Sequence, residues 1–172
     1  MIPENKNYEK GSTMVEFSLV GIPMIFVMIS AVQMALGMWQ YETLAYAVKT
    51  GAQTVASKGS GCTTNGNSCG TTVGAIATAI SNAAIGIPAS QLNITLTTAS
   101  GATTSCNPVN TCFSSSTAWP PTSNSDNQPG KSITVSGSFL LNAPAAMYYP
   151  GSKPVSFSSA TLSASATQPL MF

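Results

Sequence analysis

From Phe17 to Tyr41 the chain runs 25 residues without a charge, FSLVGIPMIFVMISAVQMALGMWQY, with Ser18, Ser30 and Gln33 as the notable polar interruptions. A helix rises about 1.5 Å per residue and a bilayer core takes about 20 apolar residues, so this run is long enough to cross a membrane with some tilt. Trp39, Tyr41 and Tyr46 stand at its far end, where an interfacial aromatic belt would lie. A buried core helix rarely runs so far without a charge. A secretory signal has a shorter apolar stretch, about 7–15 residues, with a small-residue cleavage site close behind, and no A-x-A site follows closely here. Beyond Tyr41 the pattern becomes one-sided: Leu44, Val48, Ala52 and Val55 recur at helical spacing, while Glu42, Lys49 and Lys58 fall elsewhere. The two patterns join into one predicted helix over about 12–57, roughly 69 Å long. Its first part spans or is bundled, and its second lays an apolar stripe on a domain. Pro23 removes a backbone hydrogen bond, and a kink or melted turn is expected around 19–23.

The remaining pattern is α+β. Residues 58–70, KGSGCTTNGNSCG, read as a loop. Val73, Ile76, Ala77, Ile80 and Ala84 predict a second helix, capped by Thr71 or Thr72 and ended by Gly86 and Pro88. Asn93–Thr98 and Ser132–Leu141 alternate in the manner of half-buried strands. Lys153–Thr167 does too, but its apolar parity switches near Ser158 and Ser159, which predicts a bulge or break. The expected fold is a long N-terminal membrane-spanning helix packed on a small antiparallel sheet with a second helix. Residues 101–130, rich in Ser, Thr, Asn and Pro, read as a long loop, either functional or disordered. Large apolar side chains are few in this domain, so it is expected to lean on the helix, on disulfides and on neighbours.

Composition narrows the chemistry. Charged residues are 6% of the chain, against roughly a quarter in an ordinary soluble protein. There are six lysines, no arginine, no histidine, four glutamates and one aspartate. Without histidine there is no Ser-His-Asp triad and no imidazole ligand or base. The scattered carboxylates do not form a hydrolase pair, and no basic stripe offers a hold on nucleic acid. No enzyme activity, cofactor, metal site or nucleic-acid partner is expected. A neutral Ser/Thr/Asn/Gly surface suits a protein that packs against copies of itself or other polymers.

The four cysteines fall in two close pairs, Cys62/Cys69 and Cys106/Cys112. Their gaps are wider than usual zinc spacing and no histidine is at hand, so disulfides are expected. Three connectivities are open, with the two local bridges preferred. Disulfides require an oxidising space outside the cytoplasm.

The flank of the apolar run carries the most specific signal. A polar leader, MIPENKNYEKG, ends at Gly11; four residues follow, then Glu16 and Phe17 at the mouth of the helix. A carboxylate in an apolar run is costly, up to about 2.5–3.5 kcal/mol at a helix centre and less near an end, unless paired. This flank resembles the class III signal of type IV pilin-like proteins, which a peptidase cuts directly after the glycine; that resemblance implies a new ammonium on Ser12, one helical turn from Glu16. In an assembly Glu16 could instead meet a neighbour's ammonium and set the stagger between subunits. A helix-start glutamate favoured by the macrodipole is the plainer alternative. Gly11 itself would let a peptidase approach the backbone.

The run GSTMVEFSLVGIP, together with LAYAVKTGAQTVAS, resembles the TadE-like proteins of tight-adherence (type IV) pilus assembly, over about residues 9–58. TLSASATQPLMF gives a looser likeness to that family's last strand. The resemblance implies a class III signal cut by prepilin peptidase between Gly11 and Ser12, with Glu16 and Phe17 serving assembly. It implies residues 1–11 as leader, 12–57 as the long helix and 58–172 as an extracytoplasmic α+β domain. The implied protein is a single-pass bacterial inner-membrane subunit whose domain faces the periplasm or, in a pilus, the exterior. Its implied partners are other pilin-like subunits, equal or different, met through the N-terminal helix, the prepilin peptidase, the inner-membrane assembly platform and the lipid bilayer. The expected function is that of a non-enzymatic minor pilin or pseudopilin for adhesion. The alternatives are a major pilin of a type IVb-like fibre, or a membrane-anchored adhesin using 101–130 with Trp119 as an aromatic platform.

Overall fold

The computed structural model describes residues 9–59, 62–64, 67–141 and 160–171. Helix α1 runs without interruption over Glu9–Lys58, about 75 Å at the usual rise. Pro23 lies inside it. The melted turn expected at 19–23 is therefore not present: one missing N–H costs a single backbone bond, and the flanking turns carry the helix through. A hairpin of two short strands, β1 (Thr63–Thr64) and β2 (Asn67–Ser68), follows inside the loop. Helix α2 spans Val73–Ala83, and the Thr72 side chain accepts from the Ala75 N–H at 3.2 Å to cap it.

Four strands make the sheet: β3 (Leu92–Thr97), β4 (Thr103–Cys106), β5 (Ser132–Leu141) and β6 (Ala160–Pro169). Their order is β4-β3-β5-β6 and each pairing is antiparallel, with Ile94 opposite Cys106 and Gly137, and Gly137 opposite Ala164. This is an α+β arrangement. The switch point expected near Ser158 and Ser159 lies outside the described residues. The stretch 101–130 is not a loop throughout. It contains β4 and two 3-10 turns at Val109–Cys112 and Ser123–Ser125. Strand β4 is only TTSC, too short and too polar to show an apolar alternation, and it is held by pairing with β3.

The core lies between one face of the sheet and two helices. Leu44, Val48, Ala52 and Val55 of α1 are fully buried, as are Ile76 and Ile80 of α2 and Leu92, Leu96, Ile133 and Val135 of the sheet. Two glycines set how closely the layers meet. A Cβ on Gly51 would collide with the Ile80 side chain, which packs directly on the α1 backbone there. A Cβ on Gly137 would lie 2.7 Å from Val48 Cγ2 and 3.1 Å from Leu44 Cδ1, so α1 crosses the sheet over that residue. The other sheet face is a field of hydroxyls, with Thr95 bonded to Ser105 at 3.3 Å and Thr134 to Thr167 at 2.8 Å. The end of β6 is tied back to α1, where the Met171 N–H donates to the Ala56 carbonyl at 3.2 Å.

Candidate functional site

Helix α1 changes environment at about residue 44. From Leu44 onward one stripe is buried in the domain; from Thr13 to Thr43 no residue is buried, and none of the most apolar window is covered. Met14, Phe17, Leu19 and Met34 are each more than 70% exposed. Covering an apolar side chain of this size is worth about 1.5–3 kcal/mol, so a rod carrying this many demands a bilayer or other helices around it. A buried core helix is excluded by this exposure. The length and composition of α1 are compatible with a membrane anchor.

The two serine hydroxyls of the rod fit the same environment. Ser18 Oγ donates to the Met14 carbonyl and Ser30 Oγ to the Phe26 carbonyl, each at 2.8 Å. Their hydroxyls are thus satisfied inside the helix, as an apolar solvent requires. Thr43 closes the same contact onto the Trp39 carbonyl at 2.8 Å.

Gly11 and Ser12 lie in the first turns of α1, continuous with Glu16 and Phe17. Residues 12 and 16 are therefore one helical turn apart. Glu16 is exposed, and Phe17 is 79% exposed with its ring edge 3.8 Å from where a Cβ on Gly21 would stand. From Glu16 the next charge along the helix is Glu42. Among the described residues no three acidic, histidine or cysteine side chains gather into a group able to hold a metal.

The cysteines form two local disulfides, Cys62–Cys69 and Cys106–Cys112, and none of the four is free. The second ties the end of the Val109–Cys112 turn to the end of β4, with Cys106 fully buried. Trp119 is not a surface platform. It is 1% exposed and sits in the main core, its backbone N–H bonded to the Thr71 carbonyl at 3.1 Å. A large apolar side chain in a domain short of them is worth more inside than out. Its indole Nε1 has no hydrogen-bond partner among the described residues.

Asp126 was not singled out by sequence reasoning. It is 1% exposed and accepts from the Ser100 N–H at 3.0 Å and from the Ser100 hydroxyl. Hydrogen bonds from the side chains of Ser100 and Thr98 hold its carboxyl below the usual carboxylate range, outweighing burial, with smaller help from the Ser100 N–H and Lys131. It pins the turn after β3 to the far end of the 101–130 stretch. As the sole aspartate amid Ser and Asn it carried no motif, and only its rarity marked it.

A protein-family model described as TadE-like protein matches residues 11–53, about a quarter of the chain. The match covers the exposed rod and the first turns of its buried continuation, and points to a part in tight-adherence pilus assembly, whose TadE-like proteins are structural rather than enzymatic. Neither the curated proteins nor the solved structures give a match to the chain.

Proposed function

We propose that this chain, TadE-like over residues 11–53, is a minor pilin-like subunit in the assembly of a tight-adherence pilus used for adhesion. It is inserted in the inner membrane with residues 1–11 as a leader. Prepilin peptidase cuts between Gly11 and Ser12, and the 58–172 domain faces the periplasm. The two disulfides favour that side, since the cytoplasm keeps thiols reduced. The subunit then leaves the bilayer for the assembly platform and joins other pilin-like subunits, trading lipid for neighbouring helices around the same rod.

The observation that carries this reading is the division of α1 at residue 44: a naked apolar rod on one side, the seam of a closed domain on the other. Because the rod continues into the helix that closes the domain, α1 cannot be discarded whole without uncovering Ile80 of α2 and Val135 of the sheet, which pack against it at Gly51. Glu16 is the assembly residue. Its carboxylate meets the new Ser12 ammonium, within the subunit or from a neighbour, where low dielectric strengthens the pair. Replacing Glu16→Ala tests this. Leader removal, read by a mass loss, should be unchanged, while recovery in the sheared surface fraction should fall at least tenfold. Normal recovery would refute the role.

A further inference from the structure

We infer that the domain is seated on the lipid surface at two points on opposite sides of the helix: the turn after α2, led by Ile85, and the end of β5, led by Leu140. The inference rests on the membrane reading of α1 and deepens it.

Two contacts fix the height of the domain along the rod. Gly86, in the turn after α2, has φ +83°, and a Cβ there would stand 2.7 Å from the Trp39 ring. The outer edge of the indole therefore lies against bare backbone, and a side chain at this position would push it away. A Cβ on Gly37 would stand 3.4 Å from Leu141 Cδ2, at the end of β5. Both contacts fall at residues 37–39, below the last residue of the uncharged run, Tyr41. That run of 25 residues is about 37 Å long, some 7 Å more than a hydrocarbon core. With its first residues at one edge of the core, residues 37–41 lie in the headgroup zone at the other. Trp39 and Tyr41 are the residue types that settle there.

The two tips have the character such a level calls for. Ile85 is 68% exposed and Leu140 is 43% exposed. No charge occurs in 84–92 or in 132–141. Residues 37 and 39 are two positions apart on a helix of 3.6 residues per turn, so their contacts point about 200° apart. The tips accordingly flank the rod rather than crowding one side. The rod reaches both tips, through Trp39 against Gly86 and through Gly37 against Leu141, with Leu140 next to Leu141 exposed on the outer face of the sheet, and the occupant that meets all three at one level is a bilayer interface. Helix and two tips form three supports, so the domain sits on the membrane with a fixed orientation instead of swinging on a stalk.

Depth-dependent quenching tests this in the full chain, reconstituted in phosphatidylcholine vesicles whose acyl chains are brominated at shallow or deep positions. The parent chain is the background, with Trp39 kept in its contact with Gly86, and its own emission from Trp39 and buried Trp119 is subtracted as the baseline. In that background Ile85→Trp and, separately, Leu140→Trp should each lose most of their added emission to the shallow bromines. Phe113→Trp is the control: the Phe113 carbonyl lies against Gly74 at the start of α2, about 16 Å along that helix from the Ile85 turn, and this reporter should lose none. Met28→Trp, in the middle of the rod, should be quenched by the deep bromines. If Met28→Trp is quenched while either tip reporter emits like the Phe113→Trp control, the seat is wrong and the anchor stands. If Met28→Trp is itself unquenched, the membrane reading fails and takes the seat with it. Near-UV circular dichroism from Trp119 checks that each variant is folded.

Discussion

Gly137→Ala tests how α1 and the sheet are joined. The new methyl would enter a space where Val48 Cγ2 stands 2.7 Å away and Leu44 Cδ1 3.1 Å away, both from fully buried residues. Overpacking of this kind costs about 1–3 kcal/mol. Against it, alanine in a strand gains about 0.5–1 kcal/mol over glycine from the unfolded chain. The net expectation is a loss of about 1–2 kcal/mol, a sizeable part of an ordinary stability of about 5–15 kcal/mol. Val48→Ala alone removes two methyl groups and costs about 1.5 kcal/mol or more. In the Val48→Ala background the clash at 2.7 Å is gone, and Leu44 has only to move a few tenths of an ångström. There Gly137→Ala should become neutral or stabilising, a change of sign that only direct contact produces. The assay is urea unfolding of the detergent-solubilised full chain followed by near-UV circular dichroism. At about 1–3 kcal/mol per molar urea, the single variant should lower the midpoint by very roughly 1 M. Equal cost of Gly137→Ala in both backgrounds, or a neutral effect in the parent, would refute the helix crossing.

Two further expectations concern the 101–130 region. The Asp126 carboxyl is held below its ordinary value in the fold, so its stabilising contribution is complete above about pH 4, the range of an unfolded aspartate, and is lost as pH falls through the lower folded value. Asp126→Asn should therefore weaken the domain at neutral pH and flatten the acid limb of its pH–stability curve; an unchanged limb contradicts the assignment. Removing the Cys106–Cys112 bridge by double serine substitution should cost about 2 kcal/mol by loop closure, read as a lower urea midpoint. Under mild reductant, timed alkylation and mass mapping should label Cys62 and Cys69 first, because both are half-buried while Cys106 is fully buried.

Much of the architecture was legible where side-chain pattern reports directly on environment. The run from Phe17 to Tyr41 is uncharged and none of it is buried in the domain, as a segment with an apolar surrounding of its own would be, and Ser132–Leu141 alternates because β5 is buried on one face only. Thr72 and Gly86 announced the two ends of α2 through their own backbone needs. What escaped depends on partners distant in sequence. Strand β4 owes its conformation to β3, not to its own polar residues. Trp119 beside two prolines looks like a surface feature until the core that encloses it is known. The seating of Gly86 on Trp39 and of Gly37 on Leu141 joins residues 47 and 104 positions apart, which no local pattern encodes. Pro23 does not melt a turn, because the flanking turns of a long helix absorb one missing hydrogen bond.

The central claim is that the apolar rod stays with the mature protein and is the handle by which it is anchored and then assembled. The direct measurement is terminal mapping by mass spectrometry of the native protein from both the membrane fraction and the sheared surface fraction. The account predicts one species in both, beginning at Ser12, carrying Phe17–Tyr41 intact and holding two disulfides. A native product that begins beyond Tyr41, or an intact one recovered free of both membrane and filament, would contradict it.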